Sequence, residues 1–469
     1  MNIKKLMHLF YFMVLTIASA SIIGCEKDEE IKQAEGRPFF PRIFKEASLF
    51  PESPDSIRVL DLNASYTFSG LGYSPADRVK IAWKVNGAEV SNDTSYTFVG
   101  AEPGEFRVTL EASYEGDTTR RYRDFFVLPA ADATYQPKPA NRVVLSYLSE
   151  NTGHRGIADI DYDKVSHVAY KLATVSASGG VSYAAGDQFR RIDHLVGKAH
   201  LNGVPVLLGI SGTLSADGWA VNNNYNFGNA IVNPTTRAAL ILSIKNYITL
   251  RKLDGVDVMM TDVSGAAENV TNNMVAVGTF LNDLRSALGA QSIITATVTA
   301  DYTHTRYPAN SLAAADWLNV HAFEDGLHVG PDKPLGQPSS LDYLIASADI
   351  WKAKYAVSKL VIGVSTLGIR YNTLLPNGNN ATWTSYDYIP YKDILYNVPT
   401  AFDKEYAAIS QGVYFNGVPL VVQKAQYLKQ NNYLGAYLWY ADGDMPGHNQ
   451  ITKATGEHSL TAAIYDNIN

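Results

Sequence analysis

Cysteine is almost absent. The 469-residue chain has one, Cys25, which excludes an internal disulfide and a cysteine-built metal cage. Basic clusters are missing too. The formal net charge is -7 and the charges are dispersed, which argues against nucleic acid and against an anionic membrane surface. There is no phosphate-binding P-loop, no dinucleotide fingerprint and no His-Glu-x-x-His zinc motif. His321 and His328 are seven positions apart and lack further ligand candidates. Gly209-Ile210-Ser211-Gly212 falls short of the full Gly-x-Ser-x-Gly of a nucleophilic serine turn. No metal and no cofactor is expected.

What the chain does have is apolar material and tyrosine. Hydrophobic residues make up 46%, enough for a sizeable core, and the length calls for two or three domains. Tyrosine leads the aromatics, with 29 against 17 Phe and 6 Trp. Its flat apolar face and polar tip suit a half-wet carbohydrate groove. It is also a good strand residue, so the count alone carries little.

The one long apolar run is N-terminal. Lys4 and Lys5 precede residues 6–20, which are nearly all apolar. The run is too short to span a bilayer comfortably and reads as a signal peptide over residues 1–24. Ile22-Ile23-Gly24-Cys25 resembles a bacterial lipobox, which implies cleavage before Cys25 and its acylation. Glu26-Lys27-Asp28-Glu29-Glu30 resembles the surface-export signal of Bacteroidetes lipoproteins. As a solvated tether it fits about as well physically. The expectation is an outer-membrane lipoprotein exposed at the cell surface, with residues 25–38 an acidic disordered leash.

Residues 39–128 carry short β-type runs at 58–62, 80–85, 95–99, 106–112 and 122–128, separated by turn signals such as Asn86-Gly87. This predicts a small all-β immunoglobulin-like sandwich. Trp83 before the Asn-Gly turn, and the later Pro-Gly-Glu-Phe-Arg-Val-Thr-Leu, resemble immunoglobulin-like or polycystic-kidney-disease-type modules. Trp83 is expected to pin the core. The domain's expected role is a spacer. Residues 129–140, rich in Pro and Ala, read as a linker.

From 141 to 469 the rhythm changes to apolar strands alternating with helical stretches. Strands are predicted at 142–148, 165–172, 204–209, 255–260, 293–299, 317–323, 359–365 and 434–439. Helices are predicted at 189–202, 235–250, 274–288, 341–356 and 420–431. Eight β/α units predict an α/β TIM (β/α)8 barrel.

Several of these strands resemble those of family 18 glycoside hydrolases, and the resemblance covers roughly residues 140–469. Arg142-Val143-Val144-Leu145-Ser146-Tyr147 is similar to the first strand, and Val206-Leu207-Leu208-Gly209-Ile210-Ser211-Gly212 to the third. Leu253-Asp254-Gly255-Val256-Asp257-Val258-Met259-Met260-Thr261-Asp262 is similar to the family's D-G-x-D-x-D-x-E strand. Trp317-Leu318-Asn319-Val320-His321-Ala322-Phe323-Glu324 is similar to N-V-M-x-Y-D on strand six. Lys359-Leu360-Val361-Ile362-Gly363-Val364 is similar to strand seven. Gly435-Ala436-Tyr437-Leu438-Trp439 is similar to strand eight, whose Trp forms the floor under the sugar.

The resemblance implies substrate-assisted chemistry, an exception to the two-carboxylate rule for glycosidases. A Glu protonates the leaving oxygen, the Asp two residues earlier orients the substrate acetamide, and the strand-six Tyr bonds that acetamide. Here the acid position is Thr261, the Asp position is Met259 and the Tyr position is Phe323, with Glu324 where the family has Asp. Asp257 keeps its place and is expected to be a buried carboxylate near the barrel axis. General acid catalysis is typically worth about 10²- to 10⁴-fold, so these changes predict a degenerate site with no catalytic residue. Asp262 and Glu324 are the fallback acids. Strand alternation puts 257, 259 and 261 on the barrel interior and turns Asp262 away. His321, Glu268 and Asp325 are further polar groups at strand ends.

A cleft can still bind. Trp439, Tyr147, Tyr170, Tyr302, Phe323, Trp219 and Asp442 are the candidate glycan contacts, with Tyr440 and Asp444 just beyond. Trp317 is expected to face the barrel bottom and Trp351 to pack. The first reading is a cell-surface protein that binds N-acetylglucosamine-containing glycans for polysaccharide utilisation, together with other components of a glycan-uptake system. The alternatives are an active endo-glycosidase with a displaced acid, and an adhesion protein with no sugar site.

Overall fold

The structure is a computed structural model. It describes residues 40–469 except 52–55, 150, 177, 184–189, 212–225, 261–266 and 450. Cys25 and its surroundings therefore lie outside the described residues, as do Trp219, Thr261 and Asp262.

The N-terminal domain is all β. Strand alternation builds it: along Gly104–Tyr114, Val108, Leu110 and Ala112 are buried, while Arg107 and Glu111 face out to Asp124 and Arg120. That strand pairs antiparallel with Asp117–Val127 and with Lys80–Val85, inside a five-stranded sheet. Asn86 and Gly87 both take positive φ, 50° and 89°, and join Val85 to Ala88 as a two-residue hairpin turn. Two small pairs, Arg42–Phe44 with Gly72–Ser74 and Ser65–Phe68 with Tyr96–Val99, cover the sheet. Trp83 is fully buried between them, with Phe68 at 5.1 Å, and its indole N–H donates to the Asp93 carbonyl at 2.9 Å.

The C-terminal domain is a closed barrel of eight parallel strands. In chain order they are Val143–Leu148, His167–Val175, Val206–Ser211, Gly255–Met260, Ile293–Thr299, Trp317–His321, Leu360–Ser365 and Gly435–Trp439. Each pairs with the next, and the first closes on the eighth. Helices such as Arg191–Leu201, Pro234–Arg251, Ala267–Leu288, Leu341–Lys352 and Val418–Gln430 follow the strands. Three strands depart from the sequence expectation by two residues or more, strand three running over Val206–Ser211 rather than 204–209. Strand six ends at His321 rather than 323, and Glu324 beyond it has a left-handed φ of 70°. Strand two starts at His167 and runs on to Val175.

Parity divides the barrel into two cores. Val256, Val258 and Met260 face the helices, in one large cluster with Trp351 and Phe280. Met259 faces inward, in a cluster with Tyr147, Trp317, Phe323, Tyr437 and Trp439. Glycines make room for the inner tyrosines: a Cβ on Gly209 would meet the Tyr147 hydroxyl at 2.5 Å, and one on Gly363 would meet the Tyr437 ring at 2.7 Å. Trp317 lies at the inner base beside His167, and Trp351 is fully buried with its N–H on the Thr299 carbonyl.

Between strands seven and eight the chain inserts a four-stranded antiparallel sheet: Leu367–Tyr371, Tyr386–Pro390, Tyr406–Ala407 and Val413–Tyr414. It stands on the end of the barrel where the parallel strands finish, and Tyr371, Ile369 and Val329 form its own small core.

The two domains are bonded to each other. Glu105 of the β domain accepts from Lys198 at 2.5 Å and from Asn449 at 3.1 Å, and the Phe126 ring lies 4.4 Å from that of His194. Among the described residues no helix is long and apolar enough to cross a membrane.

Candidate glycan cleft

Asp257 sits at the middle of the barrel, on the inner face of strand four, and is fully buried. Four neutral donors surround it. The Tyr147 hydroxyl donates to Oδ2 at 2.9 Å, Thr297 to Oδ2 at 2.8 Å, Thr295 to Oδ1 at 2.5 Å and the Asn319 amide to Oδ1 at 2.9 Å. Asn319 is itself oriented by Trp317, whose N–H donates to its Oδ1 at 3.0 Å. Burial pushes the Asp257 carboxyl up from its ordinary value, and the four hydrogen bonds pull against that rise. The carboxylate ties strands one, five and six to strand four and has no exposed surface to offer a ligand.

One inner position further along the strand stands Met259, only 4% exposed. With Phe323 and Trp439 it makes an apolar floor at the outlet end of the strands. The Trp439 and Phe323 rings are stacked at 6.2 Å, and Trp439 retains 8% exposure. Tyr147 lies under Trp439 at 5.1 Å with no exposed surface.

The floor has a polar edge. The His321 ring lies 3.7 Å from that of Phe323 and 6.0 Å from that of Trp439. Its Nε2 is 3.4 Å from Glu324 Oε2, while Nδ1 is buried with no hydrogen-bond partner among the described residues. From the insertion, Tyr388 brings its hydroxyl to Glu324. Burial, then the charge of Glu324, push that hydroxyl far above its ordinary value. Tyr386 lies beside it at 6.2 Å.

The structure places the remaining candidates as follows. Tyr170 is a correction. It sits one residue out of phase with Ala169, faces the helix layer and donates to the Thr152 carbonyl, so its ring cannot line a cleft. Tyr147 is inside the barrel, where its hydroxyl serves Asp257 and its buried ring has no face for a sugar. Asp442 accepts from the backbone N–H and the hydroxyl of Ser149, tying strand eight's outlet to strand one's. Asp444 is buried at the start of helix Leu460–Ile468, accepting from Leu460, Thr461 and Ser459. Tyr302 begins a short helical turn, Tyr302–Arg306. Glu268 lies in helix Ala267–Leu288 rather than at a strand end. No cluster able to hold a metal is present among the described residues.

Tyr386, Tyr388, Asn319, Thr295 and Thr297 were not among the sequence candidates. Polar residues at alternate positions inside apolar strands were the available signal for the last three. The alternation in Tyr386-Asp387-Tyr388 was the signal for the first two.

The profile described as Glycosyl hydrolases family 18 matches residues 143–444. The chain belongs to that family. A PKD-like domain profile matches residues 50–114. The family 18 barrel aligns with the GH18 chitinase ChiB from the chitin utilization locus of Flavobacterium johnsoniae, at TM-score 0.55 and 21% identity, over 71% of this chain and 94% of that one. It aligns with a class V chitinase from Nicotiana tobaccum in complex with NAG4, at TM-score 0.56 and 19% identity, over 70% and 99%. It also aligns with a chitinase-like agglutinin from Robinia pseudoacacia, at TM-score 0.53 and 16% identity, over 69% and 99%. No curated protein matches.

Proposed function

We propose that this family 18 protein binds N-acetylglucosamine-containing glycans at the outlet of its barrel without cutting them. In this reading it is held at the cell surface by a lipid on Cys25 and serves polysaccharide utilisation. The observation that carries the reading is the floor itself. Met259 and Phe323 occupy the inner positions where the family's chemistry needs a carboxylate and a hydroxyl, and both are packed against Trp439. A thioether and a phenyl ring can neither orient an acetamide nor stabilise the charge that develops on it. Trp439, which at 8% exposure is the most accessible of the three, is the ring offered to a sugar's C–H face. The agglutinin among the structural relatives bears a binding protein's name on the same fold.

Calorimetric titration with N-glycans and chitooligosaccharides tests this. Binding should be measurable and should weaken about tenfold or more in Trp439→Ala, the usual cost of truncating an aromatic anchor. Absence of binding across such a panel favours an adhesion protein with no sugar site. Release of reducing ends from the same glycans sinks the non-cutting claim.

A second reading has one observation behind it. Glu324 takes a left-handed backbone next to His321, and such strained positions concentrate at functional sites. If Glu324 is a displaced acid, turnover is present and Glu324→Gln abolishes it.

A further inference from the structure

Tyr437 stands one inner position below Trp439 on strand eight and is fully buried. Its hydroxyl has no hydrogen-bond partner among the described residues. It packs over strand seven, where a Cβ on Gly363 would stand 2.8 Å from the hydroxyl oxygen. Asp257 already takes four donors, and Tyr437 is not one of them. Burial, then the charges of Asp257 and Glu324, hold the hydroxyl well above its ordinary value, so it keeps its proton and remains a donor.

A second such atom belongs to His321, on the inner face of strand six two residues beyond Asn319. In the tautomer whose Nε2–H donates to Glu324, the buried Nδ1 is a bare acceptor. Elsewhere among the described residues, buried polar atoms without a partner lie outside the barrel interior, as His194 Nε2 does on helix Arg191–Leu201 and Asn380 Oδ1 does in the insertion. A buried donor and a buried acceptor without partners cost free energy, which a ligand bonding both would recover. An acetamide carries the matching pair, a carbonyl that accepts and an N–H that donates.

Phe323 lies against both residues. Its ring is 3.7 Å from that of His321 and 6.3 Å from that of Tyr437. Strand six last pairs with strand five at His321 and with strand seven at Val320. Phe323 is therefore past the ladder, and its side chain is held by packing alone.

We propose that Tyr437 and His321 read the acetamide of an N-acetylglucosamine unit, the Tyr437 hydroxyl donating to its carbonyl and its N–H donating to His321 Nδ1, with the Phe323 side chain turning aside as the unit enters. This rests on the glycan-binding reading and supplies the polar contacts that Met259 and Phe323 cannot make. The sugar ring then lies against Trp439.

The test is titration of the whole protein with a β-1,4 hexamer of N-acetylglucosamine and with its deacetylated counterpart. The natural protein should favour the acetylated hexamer, because an ammonium brings Tyr437 no acceptor and is costly to bury. Tyr437→Phe and His321→Leu should each weaken the acetylated hexamer about tenfold, the scale of one buried hydrogen bond, and should move the deacetylated one little. The denaturant midpoint of Tyr437→Phe should hold or rise, since the hydroxyl it removes bonds nothing in the free protein. Preference for the deacetylated hexamer, unchanged affinity for the acetylated one in either variant, or equal weakening of both hexamers overturns this inference and leaves the glycan-binding reading standing. So does a Tyr437→Phe that fails to fold, because the hydroxyl would then have a partner within the protein. Failure of both hexamers and of N-glycans to bind the natural protein overturns the glycan-binding reading itself.

Discussion

Tyr135, in the linker between the domains, donates its hydroxyl to Asp254, the first carboxylate of the strand-four signature. Asp254 also receives the Val206 backbone N–H at 2.7 Å and stands 3.0 Å from His200 Nε2, whose ring lies flat on Tyr135 at 3.7 Å. All of this is at the base of the barrel, the end away from the cleft. Next to it, a Cβ on Gly255 would meet the Ile293 carbonyl at 1.9 Å, so the neighbouring strand requires glycine there. The part of the signature that this chain carries therefore builds the barrel. The part it lacks is the part that would face a substrate.

The latch predicts a separation of stability from binding. Tyr135→Phe keeps the stacked ring and removes one hydrogen bond to a carboxylate. It should cost about 1–3 kcal/mol in chemical denaturation and make residues 129–140 easier to cleave with protease. Glycan affinity should be unchanged, because the latch is at the opposite end of strand four from Trp439. A loss of affinity matching the loss of stability would contradict this division of the strand.

Asp257 predicts the reverse of a catalytic residue's behaviour. Asp257→Ala strands four buried donors at once, and each unsatisfied group costs about 1–3 kcal/mol, so the variant should be severely destabilised. Asp257→Asn keeps Oδ1 to accept from Asn319 and Thr295, and puts its amide where Oδ2 was, so that the Tyr147 and Thr297 hydroxyls can turn to accept from it. It should fold with a smaller loss and bind glycan as the natural protein does. A folded Asp257→Asn that no longer binds would place this carboxylate in the ligand site after all.

Much of the barrel could be read from sequence because its strands are short apolar runs of fixed length, and seven of the eight both start and end within two residues of expectation. The floor was also legible, since Met259, Phe323 and Trp439 follow from strand parity and family likeness. Tyr170 was misplaced because parity was not applied to strand two: Ala169 faces inward, which turns Tyr170 outward. The polar edge was only half visible. His321 ends strand six and Glu324 lies just beyond it, but Tyr388 reaches Glu324 from an insertion more than sixty residues away in sequence, and only the folded antiparallel sheet brings it there. The roles of Asp442 and Asp444 were hidden for the same reason, because their partners, Ser149 and the start of the last helix, are set by tertiary packing.

Lys424 gives a pH test of how the insertion is fastened. It is fully buried on helix Val418–Gln430, and its ammonium donates to the Ser339 carbonyl, to the Ser339 hydroxyl at 3.0 Å and to Asn416 Oδ1 at 2.7 Å. The Asn416 amide in turn holds the Ser365 carbonyl at the outlet of strand seven. Burial draws the Lys424 amine down from 10.5 to about 7, and Glu405 pulls weakly the other way. Between those two values the unfolded chain keeps a proton that the folded chain has released. Stability therefore rises with pH across that window, and the burden of the buried charge is fully present below about 7. Lys424→Met leaves the Ser339 and Asn416 acceptors without their donor, so it should be less stable throughout, yet it should lose this slope. Relative to Lys424→Met, the natural protein should gain on the order of 2–4 kcal/mol between about pH 7 and pH 10, measured by denaturant midpoints at each pH. Parallel curves for the two proteins would mean that the three acceptors keep the amine charged when folded, and that the fastening is insensitive to pH.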